Sequence, residues 1–255
     1  MRSAALFALI GQIETVVHEL GHALTGRALG VHGLLHQTSV DLDPSVTPNQ
    51  YAITAAGGPL TSVLVAVAGW LLYRASRDAR PDMRLAALWI IYHGFIGSAG
   101  YLLLTPFGRN DLGGIAFVLG LPSIARWLAF GLGIYLMTLI GPPLLRALCA
   151  LAPSPDVLAS RESRTQYIVD VALVPWAFGL VVVLATAWPL QSIFSLGPGI
   201  GSLFPLASML PDAAKGEGLA AGNRAWSEKA PWLLLVALVA FCVFERLLLA
   251  PGIRI

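Results

Sequence analysis

Charge is scarce in this chain. Asp, Glu, Lys and Arg make up 12% of its 255 residues, where a soluble domain carries about 25%. Apolar residues reach 56% and the mean hydropathy is +0.74. A soluble fold of this length has too little interior to hide so much apolar surface, so lipid is expected to cover much of it. Basic residues are as sparse as acidic ones. The net charge is +2 and the Arg residues are scattered between apolar runs. That excludes the clustered basic face that nucleic acid requires. There are two cysteines, Cys149 and Cys242, both inside apolar runs. They read as free thiols packed among helices rather than a disulfide. The sequence also lacks an internal repeat, a soluble-domain stretch and a low-complexity tail.

What remains is a series of long apolar segments. A helix needs about 20 mostly apolar residues to cross a bilayer. Residues 4–29, 52–73, 84–106, 124–151, 167–188 and 231–250 each meet that requirement. The first follows Arg2 and resembles a signal peptide, but Glu14 and His18 interrupt it and no small-residue cleavage pattern stands out. It reads as a retained span. Residues 111–122 are apolar but too short to cross alone. Gly141-Pro142-Pro143 predicts a kink in the fourth span. Residues 31–50 mix turn formers with short β-favouring pieces, which fits a hairpin or looped excursion better than a helix. Residues 189–230 are rich in Gly and Pro, and their first half, through Leu210, is apolar enough to lie in the membrane surface or re-enter it. The fold class that follows is an all-α integral membrane protein of about six transmembrane helices. A bacterial cell (inner) membrane is the expected location, and the bilayer is the first expected partner.

Six crossings put Met1 and Ile255 on one face. Ten of the sixteen basic residues then fall on that face, with Arg74, Arg77, Arg80 and Arg84 the densest group. By the positive-inside rule that face is cytoplasmic.

The chemistry concentrates in His18-Glu19-Leu20-Gly21-His22, an HExxH pattern. Residues four apart share one helix face, so both imidazoles can reach one ion. Zinc accepts imidazole nitrogen, and a catalytic zinc site needs a third protein ligand and an open position for water. Glu19 projects beside that water as its base. Three ionisable side chains within five residues of a membrane helix are costly unless they serve a site. Glu14, one turn earlier, is placed either to accept the far ring N–H of His18 or to line a polar cavity. Candidates for the third ligand are His93, Asp111, Asp170 and Glu245. Asp170 and Glu245 read most simply as interfacial or paired charges, Glu245 standing next to Arg246. His93 is mid-span, as a ligand, a substrate-cleft group or a packing residue. Asp111 stands out because it follows a Pro106-Phe107-Gly108 break and precedes Gly113-Gly114. A broken helix leaves free backbone groups, tolerated at membrane depth only beside protein or a wet cavity.

Three segments in order carry a resemblance. His18-Glu19-Leu20-Gly21-His22 lies in an N-terminal span, Ala56-Gly57-Gly58-Pro59-Leu60 in the second, and Thr105-Pro106 precedes Asn110-Asp111-Leu112-Gly113-Gly114. Together, over residues 14–114, they resemble the site-2 protease family of intramembrane zinc metalloproteases. Ser62 stands where that family usually has Asn. The resemblance implies zinc held by His18, His22 and Asp111, with Glu19 as base. It implies a membrane-associated β-hairpin at residues 31–50 beside the cleft, and a HExxH helix running from outside toward the cytosol. Residues 1–122 are then the metalloprotease-like core and 123–255 are additional helices. Glu14, Ser62, Asn110 and His93 are the candidate supporting or substrate-contacting groups. The implied activity is hydrolysis of a membrane protein or peptide substrate. The alternatives are a structural or partner subunit of a membrane complex, built on the same metal fold without proteolysis, and a metal-assisted hydrolase acting on lipid.

Overall fold

Helix α1, Arg2–Ala28, is the hub around which the other elements gather. The structure, a computed structural model, describes residues 1–76, 80–108, 111–188, 197–222, 226 and 231–255. Among these, six helical stretches are long and apolar enough to cross a membrane: Arg2–Ala28, Pro48–Ala75, Pro81–Leu104, Ser123–Cys149, Arg161–Thr186 and Trp232–Leu249. They match the six predicted segments and differ at their ends for local reasons. Helix α2, Pro48–Ala75, begins before the apolar run because Thr47 and Gln50 form a capping box and Pro48 occupies the first turn. Helix α3, Pro81–Ala99, likewise starts on a proline, and it tightens into a 3-10 turn over Gly100–Leu104. The fifth stretch starts early because Ser160 and Ser163 cap it.

Asp111–Val118 forms the short helix α4. At eight residues it is about 12 Å long. Helix α5, Ser123–Cys149, contains Pro142 and Pro143 and runs as one helix through the expected kink position. Arg161–Ile168 (α6) and Val174–Thr186 (α7) are joined by a π-turn over Val169–Leu173. The Gly/Pro-rich segment yields α8, Gly197–Gly201, and α9, Leu203–Lys215. Helix α10, Trp232–Phe244, ends in a π-turn over Glu245–Leu249.

The expected hairpin is present. Strands β1, Gly33–Leu35, and β2, Val40–Leu42, pair antiparallel. A third strand was not expected. Residues Ile253–Arg254 form β3, which pairs antiparallel with β1 and sets the sheet order β2-β1-β3. Leu35 packs with Ala23 and Leu249, so the sheet lies against the second half of α1 and the end of α10.

Two ends of the bundle can be told apart by contacts. At one end, Arg2 pairs with Asp82 at 3.3 Å and the Ser3 hydroxyl donates to the Val171 carbonyl at 2.6 Å. Arg164 of α6 donates to the Ala213 and Ala214 carbonyls at the close of α9. At the other end, the Gln50 side chain donates to the Leu29 carbonyl, and Gly33 and Ile255 exchange backbone hydrogen bonds. Met1 and Ile255 therefore belong to opposite ends, which corrects the placement of both on one face. The physical reason is strand pairing: β3 must lie within hydrogen-bond reach of β1, which follows α1.

One apolar cluster unites both halves of the chain, with Phe7, Trp89, Tyr92, Met137, Leu145, Ile168 and Leu206 all buried in it. The outside is apolar too. Leu64, Leu128, Leu233 and Leu247 are 67–82% exposed. In water each would forgo about 2 kcal/mol of burial.

Candidate metal centre

The side chains of the HExxH turn face α2, and small residues let the two backbones meet. Gly21 and Gly57 touch across the α1–α2 crossing, where a Cβ on Gly57 would overlap the Gly21 carbonyl. One residue on, a Cβ on Gly58 would run into the Nε2 atoms of both His18 and His22. The Gly57-Gly58 pair thus opens a notch in α2 into which both imidazoles project.

Asp111, first residue of α4, closes the notch. Its Oδ2 lies 2.9 Å from His18 Nε2 and its Oδ1 lies 3.3 Å from His22 Nε2. The two Nε2 atoms are 3.2 Å apart. These separations are near the roughly 3.3 Å edge of a tetrahedron with bonds of 2.0–2.1 Å, the geometry zinc prefers with nitrogen and oxygen ligands. Among the described residues, His18, His22 and Asp111 are the group whose donor atoms could hold a metal ion.

The far side of each imidazole fixes its tautomer. His22 Nδ1 lies 2.8 Å from the Thr54 carbonyl. The Gly58 amide also approaches that nitrogen, at 3.2 Å, but a carbonyl can only accept, so the proton sits on Nδ1. His18 Nδ1 is 2.9 Å from Ser62 Oγ, and the Ser62 hydroxyl donates to Glu14 Oε1 at 2.5 Å. With its hydrogen committed to Glu14, Ser62 accepts from His18 Nδ1–H. Both imidazoles therefore turn an Nε2 lone pair toward the Asp111 carboxylate. Three electron-rich atoms facing one point repel unless positive charge sits among them. The donor set and the notch thus fit a divalent cation.

Glu19, 5% exposed, borders a cavity of about 120 Å³ together with His18, Glu14, Thr15 and Thr38. That is space for several waters. The cavity runs along α1 toward Phe7, with His93, Tyr101, Trp176 and Ser202 on its other walls.

Glu14 does not meet His18 directly, as Ser62 stands between them. Ser62 is fully buried and joins the site as that bridge. His93 stands apart from the His18–His22–Asp111 group; its ring packs edge-on against Phe7 at 4.4 Å between centroids. Asp170 is exposed and accepts from Gln166, in line with an interfacial charge. Glu245 is not a paired interfacial charge. It is 0% exposed and accepts from Gln12 Nε2 at 3.0 Å. Arg246 instead donates to the Thr186 and Trp188 carbonyls, because consecutive helical residues diverge by about 100°. Asn110 lies outside the described residues.

Two site residues carry no advance signal in the sequence. Tyr101 stacks on His18, with 5.0 Å between ring centroids and 12° between planes. Thr54 contributes only its backbone carbonyl. Comparison with family models, curated proteins and solved structures finds no match for this chain.

Proposed function

We propose that this chain is an intramembrane zinc metalloprotease that hydrolyses peptide bonds of membrane-embedded substrates. The observation that carries the reading is the convergence of two Nε2 lone pairs and one carboxylate, beside a cavity with room for several waters that Glu19 borders. The membrane part rests on six apolar helices whose outward leucines are largely uncovered. It is reinforced by the polarity of α1, where buried ionisable groups cost about 3 kcal/mol each at the bilayer centre unless they serve a site.

His18, His22 and Asp111 are the residues that would hold zinc. Bound there, the ion would polarise a scissile carbonyl and acidify a water molecule. The other steps belong to the chain. Glu19 takes a proton from the water whose oxygen attacks the carbonyl carbon. The C–N bond then breaks, and Glu19 passes that proton to the departing nitrogen. Ser62 and the Thr54 carbonyl hold the imidazoles in the one tautomer that leaves Nε2 free. A helical substrate hides its peptide bonds and must first unwind. β3 already occupies one side of β1, so the outer edge of β2 is the edge of the hairpin offered to an unwound strand.

The reading is tested by metal content and cleavage together. The purified protein should hold close to one zinc per chain, the His18→Ala/His22→Ala variant should lose it, and chelation should stop cleavage of a membrane-embedded peptide until zinc is restored. Full zinc content in the double variant sinks the assignment.

Ser62 supplies a finer check. Ser62→Ala breaks the link from His18 to Glu14, and loss of such a supporting partner weakens metal binding roughly 10–100-fold. Chelator competition measures it. An unchanged affinity would reduce Ser62 to packing.

A further inference from the structure

We infer that the chain passes through the bilayer seven times, with α8 and α9 making an extra return beside the active cavity, so that Met1 lies in the cytoplasm and the three-stranded sheet outside. The inference rests on the membrane part of the proposed function and not on its protease part.

Parity is the first observation. β1 follows one crossing, α1. The chain then passes α2, the α3–α4 unit, α5, α6–α7 and α10 before reaching β3. Five crossings would leave β3 on the far face from β1, yet Leu34 pairs with Arg254 and Leu35 with Ile253. One more passage is required.

The placement of α8 and α9 supplies it. The Trp176 indole donates to the Gly199 carbonyl at 2.8 Å, and the buried Tyr92 phenol donates to the Ser202 carbonyl. Gly199 and Ser202 line the same cavity as Glu19, which sets them at mid-depth. Thirteen residues later α9 ends where Arg164 clasps the Ala213 and Ala214 carbonyls, at the Met1 end of the bundle. A break between α8 and α9 within hydrocarbon is permitted only where protein satisfies the freed carbonyls, and Trp176 and Tyr92 do so. Helix α9 is about 20 Å long against a hydrocarbon layer of about 30 Å, which is why apolar length alone does not reveal this passage.

The extra passage redistributes the basic residues. Lys215 joins the Met1 face, while Arg246 and Arg254 leave it. Among the described basic residues eight then lie on the Met1 face and four opposite, which by the positive-inside rule makes the Met1 face cytoplasmic, the reverse of the direction that the site-2 protease resemblance implies. His18 is about 24 Å along α1 from Arg2 and about 15 Å from Ala28. His18 therefore lies in the outer half of the bilayer, nearer the sheet than Met1.

The test is cysteine labelling of the full-length protein in intact cells with a membrane-impermeant maleimide. Ser45→Cys and Arg254→Cys, both exposed, should label from outside. Glu217→Cys, in the exposed turn after α9, should label only after permeabilisation. Ile253→Cys repeats the Arg254 measurement should that variant fail to accumulate. Labelling of residues 217 and 254 from one side overturns the seventh passage. Protection of residues 45 and 254 with labelling of residue 217 overturns the orientation. Release of the protein by alkaline carbonate extraction would instead overturn the membrane reading beneath both. None of these readouts depends on zinc or on cleavage.

Discussion

Replacing Glu19 with Gln is expected to leave zinc bound and to slow peptide hydrolysis roughly 10²–10⁴-fold, the range for a lost general base. Gln has nearly the same size and can still hydrogen-bond a cavity water, but it cannot take a proton. Glu19 is buried, borders the cavity with His18, and is not one of the three atoms that face the metal position. Binding and turnover should therefore separate in this variant. Zinc analysis and cleavage of a membrane-embedded peptide, run on the same preparation, measure the two independently. The separation also decides between rival roles. A structural subunit built on the same metal fold needs the ion but not the base. If Glu19→Gln supports the wild-type level of every process that depends on this chain, the protease reading gives way to that one.

Asp111→Ala is expected to weaken zinc binding by more than the roughly 10–100-fold cost of losing an outer partner and to abolish cleavage. The carboxylate is the only anionic member of the converging group, with one oxygen toward each imidazole at 2.9 and 3.3 Å. Without it, two neutral imidazoles remain to hold a divalent cation. Asp170→Asn and Glu245→Gln should keep the metal, since neither belongs to the group. The outcome that would overturn the ligand set is normal zinc in Asp111→Ala with loss of zinc in His93→Ala.

The parts of this site that can be read from sequence are those set by spacing along one helix. His18 and His22 share a face because four residues make about one turn. The glycines of residues 56–60 stand out as a segment, but their purpose does not. Only the packed pair shows that Gly57 admits the α1 backbone and Gly58 admits two imidazoles. Asp111 could be singled out by its helix break, although its partners lie some 90 residues earlier. The Ser62 bridge is not legible in the sequence because serine has no fixed role in a helix and Glu14 lies within one turn of His18. Glu245 reads wrongly for a simple reason: an adjacent Arg suggests pairing, yet neighbours on a helix point apart. The third strand had no pattern to detect, since two residues cannot display an alternation.

That third strand bears on how the molecule is made. The partners in the β1–β3 ladder are about 220 residues apart. At a synthesis rate of about 5–20 residues per second, roughly 10–45 s separate their emergence from the ribosome. Throughout that interval β1 has a neighbour on one side and an open edge on the other, already beside α1. A three-residue strand offers little template for stray pairing, so its brevity protects the nascent chain. Closure of the sheet also waits on α10, because Leu249 must reach Ala23 and Leu35 before β3 can follow. Residues 253–255 thus fasten the first helix, and a chain halted before residue 250 would keep His18, His22 and Asp111 but leave that edge unguarded.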